Sequence, residues 1–86
     1  MKVQKVLPEY SKQAGKYLDG LDKKTQQRLK DGIEKVPAGD IIPYRARASY
    51  FRLRLGGYRI LFKWLSHEQI FVALIDSRGQ AYKKGV

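Results

Sequence analysis

Arg52, Arg54 and Arg59 are the residues of this chain best placed to do chemistry, because the pattern around them fixes how they meet. Residues 50–62 read YFRLRLGGYRILF, two runs of strict alternation joined by Gly56-Gly57. Such a pattern is that of a hairpin with a two-residue loop. The loop sets the register: Leu55 faces Tyr58, Arg54 faces Arg59, Leu53 faces Ile60 and Arg52 faces Leu61. Phe51, Leu53, Leu55, Tyr58, Ile60 and Phe62 then share a core face, and the three arginines share the other. Like charges directly opposed cost up to about 1 kcal/mol, so their retention predicts an anionic ligand. Guanidinium forks match phosphate oxygens two at a time.

The next strand extends the cluster. If residues 69–76 run antiparallel to residues 58–65, Ile75-Asp76 comes level with Arg59, and Arg78 follows just beyond. Tyr82, four residues later, can fold back over the same region. Several guanidinium groups around one phosphate could stabilise the added charge of a pentacovalent transition state. Arginine is a poor proton carrier, so proton transfer would fall to Tyr82, its pKa lowered by neighbouring cations, or else to a strained arginine.

These groups need a scaffold. Residues 2–7 suit a short first strand. Pro8 suits the first turn of a helix over residues 8–18, with Tyr10, Ala14, Tyr17, Leu18 and Leu21 at helical spacing. Asp19-Gly20 ends it. Asp22 is placed to cap a second helix whose stripe is Gln26, Leu29, Ile33 and Val36; Gly32 weakens it slightly. Residues 41–49 read as a loop leading into an edge strand. The fold class expected is α+β, an N-terminal helical hairpin packed on a small antiparallel sheet, with residues 1–86 as one domain.

Composition narrows the function. Eighteen Lys and Arg against eight Asp and Glu give a net charge of +10 in 86 residues, which implies a polyanionic partner: nucleic acid, an anionic membrane or an acidic protein. With no cysteine, thiolate chemistry and disulfides are excluded. No apolar run is long enough to span a bilayer, and no signal-peptide pattern opens the chain, so a cytoplasmic protein is expected. Carboxylates are scattered, and neither a metal cage nor a cofactor is expected. His67 falls in a turn without a second histidine, which rules out the paired-imidazole route to RNA cleavage. Tyr44, Tyr50, Phe51, Tyr58, Phe62, Trp64 and Phe71 read mainly as core. Tyr44 and Tyr50 could also stack on bases beside cations. Arg45, Arg47, Tyr50, Lys63, Lys83 and Lys84 are the candidate RNA-contacting residues.

In these segments the chain resembles the RelE/ParE superfamily of toxins from bacterial type II toxin–antitoxin systems. The resemblance rests on the helical hairpin with Ala14, Leu18 and Leu21, on YFRLRLGGYRILF, and on Asp76-Ser77-Arg78-Gly79-Gln80-Ala81-Tyr82, an arginine followed four residues on by tyrosine. It implies an mRNA interferase, an endoribonuclease acting on mRNA in the ribosomal A site by attack of the 2′-hydroxyl on the adjacent phosphate. By that resemblance Arg52 and Arg54 form the basic pair, Arg59 holds the scissile phosphate, Arg78 stabilises or protonates the leaving oxygen, and Tyr82 stacks on or deprotonates the nucleotide. An acidic antitoxin is the implied partner. Two departures are visible: arginines stand where active RelE members typically carry lysines, and Ser77 stands where a histidine often precedes the last arginine. The alternatives are a ParE-like inhibitor of DNA gyrase and a catalytically inactive, basic RNA-binding homologue.

Overall fold

The computed structural model describes residues 6–77. The elements run β1 (Leu7–Tyr10), α1 (Lys12–Asp19), α2 (Lys23–Glu34), β2 (Asp40–Pro43), β3 (Tyr50–Leu55), β4 (Tyr58–Ser66) and β5 (Gln69–Ser77). The five strands form one sheet in the order β1-β5-β4-β3-β2. Neighbours are antiparallel except β1 and β5, which are parallel. The architecture is therefore α+β with a mixed sheet, and the helices follow the first strand. The expected N-terminal hairpin on an antiparallel sheet is corrected in both respects.

The reason lies at Pro8, which sits inside β1 and does not start a helix. Leu7 and Ser11 donate their backbone N–H groups to Glu68 and Val72, each at 2.9 Å. In a parallel ladder the intervening N–H of residue 8 would point away from β5, so an edge strand tolerates the proline there. Ser11 is the true cap of α1. Its Oγ accepts from the Ala14 N–H at 3.1 Å and donates to the Ala73 carbonyl at 2.8 Å. Asp22 caps α2 as expected, accepting from the Thr25 N–H and hydroxyl. Those bonds hold its carboxyl below the usual range.

β1 ends opposite Val72, leaving the far half of β5 without a strand partner on that side. Side chains of α1 take over. Ser11 occupies the Ala73 carbonyl, and the Gln13 amide both donates to the Ile75 carbonyl and accepts from its N–H, each at 3.2 Å. Ala73 is the extra residue of a bulge, since Leu61 pairs with Leu74 and Phe62 with Val72. Helix α1 thus holds the end of β5 in place, and that end carries Asp76.

The core lies between the helices and one face of the sheet. Ala14, Leu18, Leu29 and Ile33 pack with Leu53, Ile60, Phe62, Ile70, Val72 and Ile75. Phe51, Leu55, Tyr58 and Trp64 pack around this cluster, whereas Tyr44, Tyr50 and Phe71 do not belong to it. Those three are corrected from the expected core set. Among the described residues no helix is long and apolar enough to cross a membrane.

Gly32 has a reason the sequence does not reveal. A Cβ built on it would lie 2.6 and 2.7 Å from the Leu55 methyl carbons, so α2 rests directly on the hairpin there. Gly15, in the interior of α1, has nothing within 4 Å of such a Cβ. Gly15→Ala is therefore expected to stabilise the fold by up to about 1 kcal/mol through helix propensity. Gly32→Ala should lose that gain to displacement of Leu55, at a cost of about 1 kcal/mol or more. Urea unfolding of the two variants, which differ only in what the new methyl meets, checks this.

Tyr10 predicts an alkaline limb. Burial, and then the negative charge of Glu34, push its phenol up to about 12. The folded pKa is raised, so the contribution is complete below the unfolded value near 10 and is lost as pH rises towards 12. Stability should fall across that window, and Tyr10→Phe should flatten the fall in a pH series of thermal midpoints.

Candidate nucleic-acid interface

The hairpin register is the expected one: Leu55 pairs with Tyr58, Arg54 with Arg59, Leu53 with Ile60 and Arg52 with Leu61. Gly56 has a φ of 59°, the positive value that tight hairpin turns need at their first central residue. Because alternate residues point to opposite faces, full burial of Leu53 and Ile60 turns Arg52, Arg54 and Arg59 to the side away from the helices.

Cross-strand pairing arranges that face in three rows. The first is Asp40, Arg54, Arg59 and Asp76, one residue from each of β2, β3, β4 and β5. The second is Ile42, Arg52, Leu61 and Leu74. The third is Tyr50, Lys63, Phe71 and Glu9. Successive rows lie two residues, roughly 7 Å, apart.

In the first row each arginine has an intramolecular counter-ion. Arg54 Nε lies 3.2 Å from Asp40 Oδ2, and Arg59 Nη2 lies 3.9 Å from Asp76 Oδ2. The opposed arginines are thus flanked by carboxylates, which eases the repulsion inferred from the sequence. Neither Asp40 nor Asp76 was a candidate site residue. The strand register exposes the Asp76 contact, but Asp40 could be found only by recognising residues 40–43 as a strand.

Arg52 behaves differently. Its neighbour Leu61 is only 8% exposed although it lies on the arginine face. The aliphatic stem of an arginine is suited to covering such a residue. Arg52 Nε is buried and has no hydrogen-bond partner among the described residues. Arg52 and Arg45, with Ile42, Pro43, Tyr44 and Ala46, line a cavity of about 330 Å³.

In the third row the Arg47 guanidinium lies 4.5 Å from the centroid of the Tyr50 ring, and Lys63 Nζ lies 5.6 Å from it. Both are within cation–π range. The structure therefore brings together Arg47, Tyr50 and Lys63, and separately Arg45 and Arg52. Arg78, Tyr82, Lys83 and Lys84 lie outside the described residues.

The arginine row holds no tyrosine or histidine; its proton carriers are the carboxylates of Asp40 and Asp76, each beside an arginine. Tyr17 stands edge-on to Tyr58, with ring centroids 6.4 Å apart. Burial raises its pKa against the lowering effect of a hydrogen bond with Ser77. His67, beside Glu68 in the β4–β5 turn, is eight residues along the chain from Arg59, roughly 26 Å if the strand stays extended. The face offers fixed cations and donors, the equipment for binding and stabilising phosphate.

Comparison with known proteins gives a consistent fold. No protein-family model matches the sequence, and no curated protein matches it. The chain superposes on the toxin–antitoxin complex RelBE2 from Mycobacterium tuberculosis with a TM-score of 0.69 at 19% identity, covering 90% of this chain and 95% of that one. For the archaeal RelE–RelB complex from Pyrococcus horikoshii the values are 0.63 and 26%, over 87% and 97%. A mutant of the Escherichia coli toxin RelE in the free state gives 0.65 and 15%, over 95% and 93%. Residues 6–77 of this chain have the RelE-like toxin fold.

Proposed function

We propose that the chain is the toxin of a type II toxin–antitoxin pair, a ribosome-dependent mRNA endonuclease of the cytoplasm. The observation that carries the reading is the opposed pair Arg54 and Arg59, held on the sheet face away from the helices in a RelE-like fold. Arg59 binds the scissile phosphate, and Arg54 and Arg52 bind the phosphates beside it. Arg47, Tyr50, Lys63 and Arg45 hold the flanking nucleotides, with Lys83 and Lys84 as further contacts.

In the reaction the 2′-oxygen forms a bond to the adjacent phosphorus and the bond to the 5′-oxygen breaks, leaving a 2′,3′-cyclic phosphate. Tyr82, as its phenolate, takes the 2′-hydroxyl proton; Arg78 stabilises the departing 5′-oxygen, which takes a proton from water, and the hydroxide left restores the phenolate. Charge accumulating on the phosphorane is balanced by guanidinium groups already in place, which need no reorganisation at the moment of reaction. A small acidic antitoxin neutralises the face by occupying the same cations, in keeping with the net charge of +10.

Primer extension on mRNA in a translating extract tests the reading. Cuts confined to translated regions are expected. Intact mRNA together with inhibited DNA supercoiling by gyrase would replace it with the ParE-like reading. If neither effect appeared with folded protein, the face would be a binding surface without catalysis.

A further inference from the structure

We infer that Asp40 and Asp76 are built-in competitors for phosphate at Arg54 and Arg59, and that they set an affinity threshold that an extended polyanion crosses and a single phosphate does not. The inference rests on the RNA-binding reading of this face. The formal charges of the row Asp40–Arg54–Arg59–Asp76 sum to zero, so the protein's large positive charge is not focused where its two arginines meet. Strand pairing fixes all four residues in one row. The two carboxylates cannot leave that row, but their side chains are 51% and 46% exposed and can turn into solvent.

A lone phosphate arriving at Arg54 or Arg59 exchanges one anion for another, and its gain is small. Exposed ion pairs of this kind are worth a factor of roughly 1.4 to 5 each. A nucleic-acid strand makes the same exchange but also reaches Arg52, Arg47 and Lys63, which have no comparable carboxylate beside them among the described ion pairs. The extra contacts exist only for a ligand that spans successive rows. The carboxylates therefore set a threshold that a strand crosses and a mononucleotide does not.

The test uses the full chain, a fluorescent single-stranded RNA of about ten nucleotides, and adenosine monophosphate as competitor. Asp40→Asn and Asp76→Asn are each expected to tighten RNA binding about threefold, and together about tenfold. Asp19→Asn, which changes net charge equally at the exposed end of α1, should have a much smaller effect. Adenosine monophosphate, which displaces one carboxylate where the strand displaces two, should gain only about threefold in its inhibition constant against the double variant. Thermal midpoints verify folding, and serine replacements serve if an asparagine variant fails to fold. If the parent binds RNA and the double variant stays within twofold of it or of Asp19→Asn, the inference is overturned alone. If neither protein binds RNA, it falls together with the RNA-binding reading.

Discussion

Leu53→Asp should leave no folded protein. Leu53 is fully buried at the centre of β3 and pairs with Ile60, itself fully buried. Removing the leucine side chain alone costs about 2–5 kcal/mol. A carboxylate at this position adds burial of a charge without a partner. The total, about 5 kcal/mol or more, approaches the whole stability of a small domain. Circular dichroism and urea titration should show an unfolded chain, while Leu53→Ala should stay folded with its unfolding free energy lowered by about 3 kcal/mol. A soluble, cooperatively unfolding Leu53→Asp protein would mean that the two faces of the hairpin are inverted, and the arginine site with them.

The second large effect concerns activity. Arg59→Ala and Arg78→Ala are each expected to reduce mRNA cleavage by about 10²–10³-fold, the usual cost of losing one preorganised donor to a developing charge, and to abolish growth inhibition. Arg59 lies on the arginine face with its side chain 30% exposed, so its removal should leave the unfolding midpoint near that of the parent. Arg59→Lys keeps the charge but loses the fork and should recover only part of the activity. Full toxicity of both alanine variants, at equal protein levels, would show that the reaction is carried elsewhere.

The hairpin was legible because three independent signals agree. Period-two alternation gives the strands, Gly56-Gly57 gives the turn, and a two-residue loop leaves one register. Asp22 was legible for a similar reason, an acceptor immediately before a helical stripe. Pro8 misled because a proline at the start of a helix and one in an edge strand look alike in sequence. Only the ladder, which uses the N–H groups of Leu7 and Ser11, separates the two. Tyr44, Tyr50 and Phe71 read as core on hydrophobicity, yet their rings lie outside it, and Tyr50 is held by Arg47 and Lys63. Gln13 gave no signal at all, because an amide that replaces a strand partner has no sequence signature. The order strand, helix, helix, strands was readable, but the parallel pairing of β1 was not, since it joins segments from opposite ends of the chain.

That pairing governs when the protein can be finished. Ser11 and Ala73 are 62 residues apart in sequence, and β1 meets only β5 within the sheet. Contacts between such distant segments carry the largest loop-closure cost and form late. During synthesis the hairpin of β3 and β4 can assemble as it emerges, but β1 has nothing to lie against until residues 69–72 follow. The first strand made must wait for the last. A nascent chain halted before β5 holds its arginine hairpin without Asp76, without a settled α1 and without a closed core. The complete arginine face thus exists only once β5 has been made, and termination anywhere before that strand yields a fragment that lacks it.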